Sequence, residues 1–288
     1  MSDQKLCASC MNFSIDKILK SQPTQKPSWL SKTDYVEEFI HKQTKFDLKK
    51  PSKYDVVMNL ELGKSNANKK ILYWAATSSP LNKPIVNDAE NAYSKFSNNG
   101  ITKTDSNGNT KIYFNCPQIY STVAKGKKIP QTFFRHVHFV VSNKDETQWL
   151  SQIYTKVVVC KLSYKQIHPI LKMKDKCHVF INALPCQYYA KDHIPDSYNL
   201  HNSDIKSMSV NELQKWFMDV IKVHYPMLHS LVKSGKLQIY ELPIIVYCAH
   251  DKCNASELAI QELMKKGFVN IHEYSGGMKD YRKHNLIN

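Results

Sequence analysis

The sequence predicts two folded domains of different class, an antiparallel β-sandwich over 54–161 and an α/β domain over 162–288, behind a loosely ordered arm at 1–53. Three observations carry this. Between Tyr54 and Leu162 short apolar runs alternate with polar turn signals and no strong long helix intervenes. Beyond Leu162 strands alternate with amphipathic helices, the pattern of a mostly parallel sheet covered on both faces. Residues 11–50 are rich in Lys, Ser, Gln and Thr and carry Pro23 and Pro27, with one short amphipathic stretch, Tyr35 to His41. At 288 residues and 42% hydrophobic content the chain is long enough for two ordinary cores.

The formal charge of +15 comes from 40 Lys and Arg against 25 Asp and Glu, and it suits anionic partners. The lysines are dispersed, with small clusters near 47–53 and 125–128. No zinc-finger spacing or aromatic-basic module accompanies them, so specific nucleic-acid binding is not expected. The absence of an apolar run of spanning length, and of an apolar core in the first ten residues, predicts a soluble cytoplasmic protein with no membrane partner. Eight cysteines are scattered without a repeating frame and are expected to be mostly free thiols. Cys7 and Cys10 form one CxxC, half of a structural zinc set, and read as bystanders at a terminus.

Within the β-rich segment the strands read as 54–62, 69–77, 110–116, 135–141 and 153–162. On the fourth, His136 and His138 are two residues apart, so both imidazoles project from one face, where two such groups can chelate one metal ion. The order Asp88-Ala89-Glu90-Asn91-Ala92-Tyr93, Gly100 through Gly108, Cys116-Pro117-x-x-Tyr120, Arg135-His136-Val137-His138-Phe139 and Ser151-Gln152-Ile153-Tyr154 resembles the intradiol ring-cleaving dioxygenases over about 70 residues. That resemblance implies a β-sandwich holding Fe(III) through Tyr93, Tyr120, His136 and His138, with Gln152 behind them. Phenolates are hard anionic donors suited to a ferric ion. The sequence departs from the family at Phe133, where an arginine is usual, and the W-x-A-D strand sequence before Tyr93 is missing.

In the second domain, Leu162 to Lys172 reads as a helix and Cys177 to Asn182 as a buried strand. Ser209-x-x-Glu212 opens an amphipathic helix toward Leu231 that Pro226 kinks or breaks. Ile244 to Tyr247 is a short buried strand, and Asn254 with Glu257 reads as the capped start of a helix to Lys266. A strand near Val269 to Tyr274 and Gly276-Gly277 precede a last helix. Cys248 therefore sits where a strand hands over to a helix, a place where converging backbone N–H groups favour an anion and lower a thiol pKa. It is the candidate nucleophile.

Tyr189-x-x-x-His193-Ile194-Pro195-x-Ser197-x-Asn199, Ile245-Val246-Tyr247-Cys248, Lys266-Gly267-Phe268-x-Asn270 and Gly276-Gly277-Met278 together resemble the rhodanese-like domain. The resemblance implies a three-layer α/β fold and a sulfurtransferase that needs no cofactor. In it Cys248 carries sulfane sulfur as a persulfide between a small donor and a thiol acceptor, a protein thiol included. The family's D-x-R reads Asn182-Ala183-Leu184, and Cys253 stands where an arginine is common. His250 and Lys252 are candidates to bind the donor anion in its place, and Cys253 is the candidate resolving thiol. Three other readings compete: a scaffold with degenerate sites, an intradiol-type aromatic ring-cleaving dioxygenase, and a phosphatase. The last would need a C-x5-R loop, and Asn254 stands at that arginine's place.

Overall fold

The computed structural model describes residues 22–23, 34–81, 83–123 and 130–285, so Cys7 and Cys10 lie outside the described residues. The chain divides after Val158 into two compact units. The first contains β1 (Gln22–Pro23), α1 (Asp34–Lys42), β2 (Val56–Glu61), β3 (Lys70–Ala75), α2 (Ala89–Tyr93), β4 (Asn99–Lys103), β5 (Asn109–Phe114), β6 (Tyr120–Thr122), β7 (Gln131–Phe133), β8 (His136–Val141) and β9 (Tyr154–Val157).

A five-stranded antiparallel sheet runs in the order β1-β9-β8-β3-β4, accompanied by the antiparallel pairs β2-β5 and β6-β7. β8 is buried at every position, and β3 at every position but its first, so this middle pair is covered on both faces. Apart from Lys70, Ala75 and the two histidines its residues are Ile, Leu, Val and aromatics, which suit a pleated surface with no solvent side. The stretch predicted as a short helix in a loose arm is α1. Its Val36 and Phe39 join Trp74, Tyr93 and Phe96 in the apolar core, where Phe39 stacks on Phe96 at 4.3 Å. The apolar face at positions 36, 39 and 40 gave this helix enough surface to dock, which the polar composition around it concealed.

Between α2 and β4 the chain does something unusual. Ser94, Lys95 and Phe96 have φ of 41°, 56° and 57°, three consecutive left-handed residues with no glycine among them. Asp88 caps α2 by accepting from the Asn91 N–H at 2.7 Å, and the left-handed run follows directly on Tyr93.

The second unit contains β10 (Cys160–Leu162), α3 (Tyr164–Leu171), β11 (Val179–Asn182), α4 (Cys186–Lys191), β12 (Tyr198–Asn199), α5 (Asn202–Ser207), α6 (Val210–His224), α7 (Pro226–Lys233), β13 (Ile244–Tyr247), α8 (Ala255–Lys265), β14 (Ile271–Tyr274) and α9 (Gly277–Asn285). Its sheet runs β10-β14-β13-β11-β12, and every pairing is parallel. β11, β13 and β14 are buried along their whole length, the signature of strands covered on both sides.

Several expectations need correcting here. The run from 153 to 162 is not one strand. β9 ends at Val157 in the antiparallel sheet, and β10 begins at Cys160 and joins the parallel one. Leu162 therefore belongs to a strand, and the helix expected from it starts at Tyr164. Pro226 breaks rather than kinks the long helix, since it occupies the first position of α7, where its missing N–H costs nothing. Asn254 precedes α8 but its side chain makes no cap, because its ψ of 2° turns the backbone away from the extended form a cap requires. Cys177, Cys186, Cys248 and Cys253 are free thiols as expected, whereas Cys116 and Cys160 are disulfide-bonded. Among the described residues no helix is long and apolar enough to cross a membrane.

Candidate functional site

Cys248 follows β13 at the carboxyl edge of the parallel sheet, the edge where open α/β sheets bind ligands. Two clamps fix the end of that strand. The Tyr247 hydroxyl accepts from the Ile194 N–H at 2.9 Å and bonds the Ser197 hydroxyl at 2.7 Å, so the His193-Ile194-Pro195-x-Ser197 segment locks onto the residue before the cysteine. Burial pushes the Tyr247 phenol up to about 12, against the hydrogen bonds from Ser197, Asn182 and Ile194, so it stays protonated at any ordinary pH. From the other side, the N–H groups of Met278 and Lys279 at the start of α9 donate to the carbonyls of Cys248 and Ala249, both at 2.9 Å. Gly277 makes this approach possible: it has φ of 60°, and a Cβ there would run into the Cys248 carbonyl oxygen.

The departure at Asn182 has a local compensation. Its Oδ1 accepts from the Leu184 N–H at 2.9 Å, so the turn after β11 keeps its side-chain acceptor although the family's aspartate is gone.

Cys248 itself is 1% exposed. Its Sγ lies 3.3 Å from the Cys253 carbonyl, 3.7 Å from the His250 carbonyl and 3.3 Å from the Ser256 hydroxyl. Burial pushes its pKa up, against the hydroxyl and backbone N–H of Ser256, and the neighbouring Cys253 adds to the rise. The sequence pointed to a lowered value, and the geometry reverses it. The sulfur faces carbonyl oxygens and is cut off from water, both of which favour the neutral thiol. The lowered thiol is Cys253. Burial raises it, but the backbone N–H groups of Ala255 and Ala249 and the Cys248 thiol outweigh burial and favour its thiolate. The two sulfurs form one coupled pair whose first negative charge rests on Cys253. His250 and Lys252 are exposed on the loop between them, with the Lys252 N–H donating to His250 Nδ1 at 3.2 Å.

Sequence reasoning missed Ser256 and Glu273. Ser256 donates to Glu273 Oε1 at 2.7 Å, and Glu273 Oε2 lies 3.6 Å from Lys161 Nζ. The available signal was a carboxylate inside the buried Ile271–Tyr274 strand, where it needs a partner.

In the first unit the sequence-matched tyrosines and histidines come together. Tyr93 Oη and Tyr120 Oη are 3.3 Å apart and lie 3.1 and 3.3 Å from His136 Nε2, and the His136 and His138 rings are 4.6 Å apart. All four are buried. Each histidine is oriented by its other nitrogen: His136 Nδ1 bonds the Phe134 carbonyl at 2.6 Å and His138 Nδ1 the Thr155 hydroxyl at 2.7 Å. Burial pushes His136 down to about 4, against the bond to the Phe134 carbonyl, and pushes His138 well below its ordinary value, so both are neutral at pH 7. Gln152, expected behind the ligands, is exposed and donates to the Ile153 carbonyl at 3.0 Å, and the Thr155 hydroxyl bonds His138 Nδ1. Arg135, next to His136 in the chain, is buried, which lowers its pKa to about 9.

Tyr93 Oη, Tyr120 Oη and His136 Nε2 are spaced 3.1–3.3 Å from one another, within the roughly 2.9–3.4 Å expected of donors that share one ion at about 2.0–2.1 Å. A second hydrogen bond to carbonyl or hydroxyl on each histidine is the usual support of a ligating imidazole. Among the described residues no three His, Cys, Asp or Glu side chains gather with metal-binding spacing, so any metal here depends on the two tyrosines.

Comparison with known proteins bears on the second unit. Residues 169–284 match the family model described as the rhodanese-like domain. A Saccharomyces cerevisiae single-domain sulfurtransferase, RDL2, superposes with a TM-score of 0.33 at 11% identity, over 46% of this chain and 94% of its own. The human single-domain sulfurtransferase TSTD1 gives 0.29 at 13% identity, over 43% and 95%. An uncharacterized Saccharomyces cerevisiae protein gives 0.32 at 20% identity, over 44% and 94%. No curated protein sequence matches the chain. With its all-parallel sheet and its cysteine at the end of the central strand, the segment 169–284 is a rhodanese-like domain.

Proposed function

We propose that the second unit is a sulfurtransferase in which Cys248 receives sulfane sulfur as a persulfide. The observation that supports this most directly is the pairing of two free thiols in one loop at the carboxyl edge of the sheet, one buried and one held toward its thiolate. Cys248 attacks the outer sulfur of the donor, a new S–S bond forms, and the donor's own S–S bond breaks with its electron pair leaving on the departing group, sulfite when the donor is thiosulfate. A thiol acceptor, small or on a protein, then takes the outer sulfur. Alternatively the Cys253 thiolate attacks the Cys248 sulfur, hydrosulfide leaves, and a Cys248–Cys253 disulfide remains for an external dithiol to reduce. His250 and Lys252, exposed on the loop, meet an anionic donor in a chain of net charge +15. Sulfur transfer is preferred to phosphate transfer because Asn254 cannot supply the bidentate clamp of an arginine. Thiosulfate treatment followed by peptide mass spectrometry tests the reading: Cys248 gains the mass of one sulfur atom and the Cys248→Ala protein forms no adduct. An adduct on Cys253 alone, or none, defeats it.

We infer a second role, in the first unit, from the tetrad. The unit is read as a dioxygenase-like β-sandwich whose Tyr93, Tyr120, His136 and His138 hold a non-haem ferric ion. Such an ion, when bound, supplies a Lewis-acid centre with room for a further ligand. The chain's part is to keep both imidazoles neutral through burial, to aim Nε2 of His136 at the phenols through the Phe134 carbonyl, and to fix His138 through Thr155. Elemental analysis and the purple-red colour of a ferric tyrosinate test this. A colourless, iron-free protein after exposure to ferrous iron and air refutes it, and Tyr93→Phe should weaken both signals.

A further inference from the structure

A line of three side chains runs from the loop into the floor of the rhodanese-like domain. Cys248 is 1% exposed, Ser256 is fully buried in the first turn of α8, and Glu273, on the strand beside β13, is 7% exposed. The Ser256 hydroxyl donates to Glu273 Oε1 at 2.7 Å and lies 3.3 Å from Cys248 Sγ. A serine has one hydroxyl hydrogen. With that hydrogen committed to the carboxylate, the Ser256 oxygen can meet the thiol only as an acceptor, one of three within reach of the S–H. The other acceptors around Sγ, the carbonyls of His250 and Cys253, cannot keep a proton. The Ser256 path alone among these three leads to a base. Lys161 on β10 lies 3.6 Å from the second Glu273 oxygen, and Cys253 is the titratable neighbour on the loop side.

We propose that Ser256 and Glu273 form a proton relay that unloads the Cys248 thiol as it attacks a sulfur donor. The proposal rests on the sulfurtransferase reading for its substrate, a sulfane sulfur anion. The Cys248 hydrogen moves to Ser256 Oγ while the Ser256 hydrogen moves to Glu273 Oε1. The electron pair left on Cys248 forms the bond to the donor's outer sulfur, and the donor's S–S bond breaks toward its leaving group. Every hydrogen bond in the line has then reversed: neutral Glu273 donates to Ser256, and Ser256 donates to the sulfur. Ser256 is the catalytic residue, since it touches the reacting atom, and Glu273 acts through it. The buried, raised thiol thereby becomes a usable nucleophile without a permanent charge in the loop.

The test follows the rate of Cys248 carboxamidomethylation by iodoacetamide in the full-length protein, read by peptide mass spectrometry from about pH 6 to pH 9, with thiosulfate loading measured alongside. Wild type should give a nearly flat profile. Ser256→Ala and the isosteric Glu273→Gln should lose roughly 100-fold at pH 7, the usual size of a positioned proton transfer, and regain about tenfold per pH unit as hydroxide takes over. Ser256→Thr keeps the hydroxyl and should restore the flat profile; thermal melts confirm that each variant is folded. Variant profiles with the wild-type shape overturn the relay, whatever their absolute rates. Failure of wild type to gain sulfur from thiosulfate removes the sulfurtransferase reading instead, and the alkylation profiles still decide the relay.

Discussion

Gly277→Ala is the sharpest perturbation of the loop that leaves both thiols in place. The residue has φ of 60°, where an L-amino acid costs roughly 1–2 kcal/mol. The new Cβ would collide with the Cys248 carbonyl oxygen and sit 2.8 Å from the Ala249 carbonyl carbon and 2.9 Å from the His250 nitrogen. These are backbone atoms and cannot rotate away, so relief means moving the loop or the start of α9, an overpacking cost of about 1–3 kcal/mol. The sum is about 2–5 kcal/mol, and the displacement stretches the bonds from Met278 and Lys279 to the loop carbonyls. Denaturant unfolding of the second unit and the rate of Cys248 modification measure the two consequences. A Gly277→Ala protein within about 0.5 kcal/mol of wild type, with unchanged Cys248 reactivity, would refute the clamp, because surface substitutions alone span that range.

Four further outcomes follow. Tyr247→Phe leaves the buried Ile194 N–H and Ser197 hydroxyl without their shared partner and should destabilise the second unit by about 2–4 kcal/mol; a loss under about 0.5 kcal/mol in urea would mean the hydroxyl is not the clamp. The same phenol sets a sign at alkaline pH. Its folded pKa of about 12 exceeds its unfolded value, so its stabilisation is complete below about pH 10 and is lost as pH rises toward 12, and the phenylalanine variant should lack that slope. At pH 7 a limiting thiol reagent should label Cys253 before Cys248; equal labelling at neutral pH would contradict the direction of the two shifts. Lys95→Gly should stabilise the first unit by about 1 kcal/mol in a thermal melt, since glycine alone adopts its left-handed backbone without strain.

Much of this architecture is legible in the residues because it rests on periodicity. Ile244 to Tyr247 reads as a buried strand, and the period of two puts His136 and His138 on one face; neither inference needs the rest of the chain. The hand-over from β9 to β10 is hidden because Val157, Val158 and Cys160 look like one apolar run, and only pairing partners divide it. The acidity of the two cysteines is hidden for a different reason. Whether a sulfur sees N–H groups or carbonyls depends on peptide-plane orientation within the loop, which residue identity does not encode. The relay could have been suspected from Glu273 in a buried strand, but its partner Ser256 is 17 residues away and is selected by the fold.

The turn after Tyr93 concerns chirality. Ser94, Lys95 and Phe96 hold the mirror image of helical backbone, and Phe96 anchors the reversal by stacking on Phe39 at 4.3 Å and lying against Tyr93 at 5.5 Å. The phenol whose oxygen lies 3.1 Å from His136 Nε2 is thus held by a stretch written in the wrong hand for its own building blocks. A chemically synthesised domain with D-lysine at 95 would fit that backbone better than the natural residue. The excess energy of the natural chain is the physical record of how firmly the aromatic core dictates where Tyr93 stands.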